Sequence, residues 1–192
     1  MAARADPDVI CEGAEHEPEG STVGFLHRHH DADLIRYRMR EKLFAIGEDF
    51  WIETEGGERA FKVDGEALRI RDTFILKGPG GEDLFKAQAK KLHIRDTMKI
   101  EHDGDTTATI KKALVTPLRD RFSIELADGT ELKAKGNILD HEYKIERDGD
   151  TVAEVSKRWF RVRETYGIEI APDQNDALLL AVAACIDEME ER

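Results

Sequence analysis

Cysteine is close to absent: Cys11 and Cys185 are the only two in 192 residues. One lies in a polar stretch and the other in an apolar run, which excludes a disulfide framework and suits a reducing compartment. A secretory leader is not expected either, because the first residues are acidic and lack an apolar core segment. Positive charge is outnumbered, with 29 basic against 41 acidic residues and a formal charge of −12. That balance gives no electrostatic footprint for nucleic acid. The motifs of catalysis are missing as well. There is no Gly-x-Ser-x-Gly around Ser156, no glycine-rich phosphate loop and no His-Glu-x-x-His. His93, His102 and His141 have acids near them, as surface histidines commonly do, and Cys185 reads as an inert core thiol. No catalytic residue, cofactor or metal site is therefore expected. The cluster His27, His29 and His30 is too adjacent to close round one ion and reads as a polar linker.

Long apolar runs are scarce too, and the one exception organises the rest. Ala177 to Ile186 are ten consecutive apolar residues, rich in alanine and leucine. These are better helix formers than strand formers. Asp173 and Asp176, three apart, resemble a capping box in front of the run. Asp187, Glu188, Glu190 and Glu191 follow it, where a helix dipole prefers cations, so that end is expected to be solvated or frayed. Ten residues span about 15 Å, half of a bilayer core, so the run is no membrane span. A helix apolar on every side needs walls all round.

The walls are strands. Residues 1–34 hold eight acids against two bases, half of the formal charge, and read as a weakly structured extension. From residue 35 onward, short alternating runs are separated by turn signals. They begin with Ile35 to Arg40, Phe50 to Ile52, Ala60 to Val63, Ala67 to Ile70 and Phe74 to Leu76. Leu84 to Ala87, Leu92 to Ile94, Met98 to Ile100, Thr106 to Ile110 and Phe122 to Leu126 follow. Glu131 to Ala134, Tyr143 to Ile145, Thr151 to Val155 and Tyr166 to Ile170 complete the series. The Asp-Gly pairs at 64–65, 103–104, 128–129 and 148–149 suit tight antiparallel turns. A sheet of some twelve or thirteen strands must curl or split. A mainly β fold, closed as an antiparallel barrel round the C-terminal helix, meets both demands. A two-sheet sandwich capped by the helix is the competing arrangement.

The chain resembles the LURP-one-related family, which belongs with the tubby C-terminal domains and the phospholipid scramblases. The resemblance rests on Tyr37 to Phe44, on Phe50-Trp51-Ile52 with Ala60 to Gly65, and on Leu68 to Phe74. It continues through Ile110-Lys111-Lys112, Val155 to Trp159, Tyr166 to Ile170 and the helix ending Cys185-Ile186-Asp187. It implies a twelve-stranded closed barrel over residues 35–192 that encloses the hydrophobic helix. It also implies a non-catalytic cytoplasmic domain with a binding or scaffolding role, its partner and oligomeric state left open. Tubby domains bind phosphoinositides through basic residues, so the alternative it implies is a peripheral phospholipid-headgroup binder. The cysteine cluster and calcium segment of scramblase relatives have no counterpart here.

The residues for such a headgroup site would be Arg119, Arg121, Lys133, Lys135, Lys157, Arg158, Trp159, Arg161 and Arg163. Arg119/Arg121, Lys133/Lys135 and Arg161/Arg163 are spaced by two, which places each pair on one face of a regular strand. Several such pairs could draw an anionic headgroup. They could equally be the wet faces of strands, answered by acids such as Glu125, Asp128 and Glu131. In Lys157-Arg158-Trp159-Phe160-Arg161-Val162-Arg163, four cations flank two aromatics. That segment fits either a lipid interface or a turn whose aromatics plug one end of the barrel while the cations snorkel outward.

Overall fold

The computed structural model describes residues 34–40, 50–64, 73–90, 96–113, 120–160 and 165–191. Twelve strands are present among them. These are β1 (Ile35–Arg40), β2 (Phe50–Thr54), β3 (Arg59–Asp64), β4 (Thr73–Lys77), β5 (Asp83–Lys90) and β6 (Thr97–His102). After them come β7 (Asp105–Lys112), β8 (Asp120–Leu126), β9 (Glu131–Asn137), β10 (Glu142–Arg147), β11 (Asp150–Ser156) and β12 (Thr165–Ile170). Each pairs antiparallel with its neighbour in sequence, and β1 closes the ring by pairing with β12, Ile35 opposite Ile170 and Arg40 opposite Thr165. The closed barrel therefore replaces the sandwich alternative. The runs Ala67 to Ile70 and Leu92 to Ile94 lie outside the described residues.

Alternation along each strand puts one face inside. Ile52, Val63, Leu76, Ala87, Ile100, Ile110, Ile124, Ala134, Ile145 and Ile168 are wholly buried. Through them runs α1 (Asp176–Glu191), with every residue from Leu180 to Ile186 inaccessible to solvent. The small side chains Ala181, Ala183 and Ala184 let the helix fit within a ring of larger strand residues.

Two details of the helix depart from expectation. Its N-cap is Asn175, whose Oδ1 accepts a hydrogen bond from the backbone N–H of Leu178 at 3.0 Å. Asp173 sits in the left-handed region, φ 63°, and Asp176 accepts the Tyr37 hydroxyl at 2.6 Å, so the two do not form a capping box. The acidic end is not frayed. Asp187 is 5% exposed and Met189 is wholly buried, because polar side chains of the barrel wall reach in to meet them.

The two ends of the barrel differ. At the end where α1 enters, the connections are short: 55–58, 78–82, 103–104, 127–130, 148–149 and 171–175. Asp103-Gly104 and Asp148-Gly149 make two-residue hairpins with positive φ at both positions, as a type I′ turn demands. These six connections contain Glu55, Glu58, Glu82, Asp103, Asp128, Asp148 and Asp173, and no lysine or arginine. The connections 41–49, 65–72, 91–96, 113–119, 138–141 and 157–164 all join strands at the opposite end.

Candidate functional site

The outer wall carries the residues that sequence singles out. Lys133 and Lys135 both project outward from β9, alternating with buried Leu132 and Ala134. Lys133 is exposed, whereas the Lys135 ammonium lies 3.1 Å from Glu146 on β10. Arg121 is part of β8 at a register shift between Asp120 and Phe122, and its side chain lies outside the described residues. Arg119, Arg161 and Arg163 lie outside them as well.

Lys157, Arg158 and Trp159 form a single 3-10 turn after β11. Glu142 on β10 anchors that turn. Its carboxylate accepts from Ser156 Oγ at 3.0 Å and from the Lys157 N–H at 3.2 Å, and it lies 3.3 Å from Arg158 Nε. The Ser156 hydroxyl in turn caps the turn by accepting from the Arg158 N–H at 3.1 Å. Arg158 nevertheless keeps 82% of its side chain exposed.

The aromatics of this segment do not plug an end of the barrel. They lie on its outer wall, over β12. An ideal Cβ on Gly167 would stand 2.7 Å from Trp159 Cε3 and 2.8 Å from Phe160 Cε2, so the absence of a side chain there makes their seat. Arg36 stacks over Trp159 at 4.9 Å and Arg38 lies 5.9 Å from the Phe160 ring. Arg36 is also bound by Glu169 at 2.5 Å and Glu55 at 3.0 Å. Burial opposes its charge, but those two carboxylates hold its pKa above the ordinary guanidinium value. Arg38 pairs with Glu53.

Much of the remaining wall is a lattice of cross-strand ion pairs. Lys77 meets Asp64 at 3.0 Å, Lys111 meets Glu125 at 3.0 Å and Lys144 meets Glu154 at 3.1 Å. These cations have acidic neighbours in place, which lowers their pull on a phosphate. This stretch of outer wall, alternating Lys with Asp and Glu, is not the apolar band that faces lipid in a transmembrane barrel. No helix among the described residues is long and apolar enough to cross a membrane.

Sequence reasoning missed a polar cluster where the helix ends. Asp187 accepts the Tyr166 hydroxyl at 2.7 Å and lies 3.2 Å from His141 Nε2, while the His141 ring packs on Tyr166 at 4.4 Å. Lys112 on β7 donates to the Met189 carbonyl at 3.0 Å and lies 3.5 Å from Glu190. The Lys112 ammonium thus answers the negative helix terminus. Tyr143 is buried beside them, and burial together with the Asp187 charge drives its pKa well above the usual phenol value. Among the described residues no group of three or more His, Cys, Asp or Glu side chains could hold a metal ion.

A closed antiparallel barrel of twelve strands threaded by one buried helix defines the tubby C-terminal-like class. The LURP-one-related family model matches residues 35–187, and the chain belongs to that family. A crystal structure of a protein from Arabidopsis thaliana is similar in fold, with TM-score 0.63 and 14% identity, covering 82% of this chain and 92% of that one. A search of curated proteins gives no match.

Proposed function

We propose that this chain is a non-catalytic intracellular domain that works by binding or scaffolding through its outside surface. The observation that carries this reading is the filled lumen. Leu180 to Ile186 are wholly buried against inward side chains of the strands, so an interior ligand would have to displace the helix that supports the walls. Nuclear magnetic resonance titration of the full chain with candidate partners tests it. Perturbed amides should map to outward-facing positions and rims; a ligand that perturbs Ala181 and Cys185 first would overturn it.

A second reading, peripheral binding to an anionic lipid headgroup, is supported by Lys157 and Arg158 at the surface beside Trp159, with Lys133 exposed on the wall. The acidic turns at the other end oppose any approach of an anionic bilayer from that side. Flotation with anionic vesicles at two salt concentrations tests this. Binding at low salt that is lost in Lys157→Glu and Arg158→Glu supports it, and absence of binding at low salt removes it.

A further inference from the structure

At the end of the barrel opposite the entrance of α1, the turn between β9 and β10 folds a histidine inward. The Asn137 amide donates to Asp140 at 2.5 Å and the His141 N–H donates to the Ile138 carbonyl at 3.0 Å, which fixes the turn. His141 itself takes φ 52°, a left-handed conformation that the surrounding structure has to hold in place. Its ring lies against Tyr166, and its Nε2 faces Asp187 at 3.2 Å. A carboxylate only accepts, so Nε2 carries a proton. The opposite ring nitrogen, Nδ1, is buried and has no hydrogen-bond partner among the described residues. Two residues on, Tyr143 is 2% exposed, and its hydroxyl is buried without a partner in the same way. Burial and the Asp187 charge keep that phenol protonated, so it has a donor to place. Folded chains leave few such atoms unpaired, and enclosed water is their usual partner where no protein group reaches.

We infer that the barrel has an internal water-binding site at this end, where one ordered water bridges His141 Nδ1 and Tyr143 Oη beside Asp187. The chemistry of the surroundings selects the occupant. An anion is repelled by Asp187, by Glu190 and by the negative terminus of α1. A metal ion lacks ligands, since no three His, Cys, Asp or Glu side chains among the described residues could hold one. The Lys112 ammonium already occupies the place of a cation at the helix end. What is left is a neutral molecule able both to donate and to accept. It must donate to Nδ1 when the ring is neutral and accept from it when the ring is charged, and it can meet the phenol in either sense. Water does all of this. It completes a polar layer of His141, Tyr143, Tyr166 and Asp187 that locks the acidic end of α1 to the turn after β9, to β10 and to β12.

A crystal structure of the full chain, at a resolution that defines ordered water, tests the inference, and urea denaturation of Tyr143→Phe tests it independently. One solvent peak is expected within about 2.7–3.2 Å of both His141 Nδ1 and Tyr143 Oη. Tyr143→Phe takes one of its two partners from that water and should lower the urea midpoint by about 0.3–1 M. A dry site has the opposite consequence, because deleting a buried hydroxyl that bonds nothing leaves the midpoint unchanged or raises it. Either of those midpoints overturns the inference. So does a wild-type map with no peak between the two atoms, or with a peak that touches only one of them.

Discussion

The Tyr166 hydroxyl on β12 reaches the Asp187 carboxylate on α1 at 2.7 Å, tying the wall of the barrel to the far end of the helix inside it. This contact explains how an acidic residue tolerates burial at a helix C-terminus, where the dipole is unfavourable. His141 supplies a second polar contact to the same carboxylate at 3.2 Å.

Removing the Tyr166 hydroxyl should therefore be costly although it deletes one atom. Tyr166→Phe leaves the ring packed and takes a donor from a buried anion, so the unfolding free energy should drop by about 1.5–3 kcal/mol. Urea denaturation followed by far-ultraviolet circular dichroism measures it. An unchanged midpoint would show that water replaces the lost donor freely.

Gly167 makes a different demand. Gly167→Ala places a methyl group 2.7–2.8 Å from the edges of Trp159 and Phe160, closer than such atoms approach. The aromatics must lift off the wall, which should cost about 1–3 kcal/mol and shift tryptophan emission to the red as Trp159 gains solvent. The interior is untouched, so the far-ultraviolet spectrum should stay the same. A stable variant with unaltered emission would place the aromatics elsewhere.

These two contacts show where sequence reasoning reached its limit. The Ala/Leu run, the Asp-Gly turns and the alternation of strands such as Met98 to Ile100 are local signals, and together they imply a barrel round a helix. The partner of Asp187 is not local. It follows from the helix turning back inside the barrel after β12, which brings its acidic end level with Tyr166. The same holds for Trp159 and Phe160. Their sequence suggests an end plug or an interface, and only the bare surface at Gly167 decides in favour of the wall. Of the candidate basic residues, spacing by two placed Lys133 and Lys135 on one face, but it could not disclose Glu146 as the neighbour of Lys135.

The helix also makes a packing prediction. Leu180 is wholly buried in the lumen, where the surrounding wall is closed by hydrogen bonds and cannot collapse freely. Leu180→Ala should cost about 2–5 kcal/mol, toward the upper part of that range if the cavity persists. Chemical denaturation with a matched exposed control, Leu139→Ala, separates cavity loss from side-chain type. Equal effects at the two positions would contradict a helix enclosed by strands.

Alkaline titration probes both ends of the helix at once. Tyr37, at the entry end, has its pKa raised by burial and by the hydrogen bond to Asp176; Tyr143, at the other end, has its pKa raised by burial and by the Asp187 charge. A raised folded value means that the neutral phenol is favoured in the native state. The contribution to stability is then fully present below the unfolded value, about 10, and is lost as pH rises from there toward the folded values. Unfolding free energy should fall steadily above about pH 10, because the unfolded chain ionises where the native one resists. Tyrosinate absorbance should lag the ordinary phenol curve and then rise together with the loss of circular dichroism. Tyr37→Phe should remove part of that alkaline slope, and a slope identical to wild type would disconnect the Tyr37–Asp176 contact from stability.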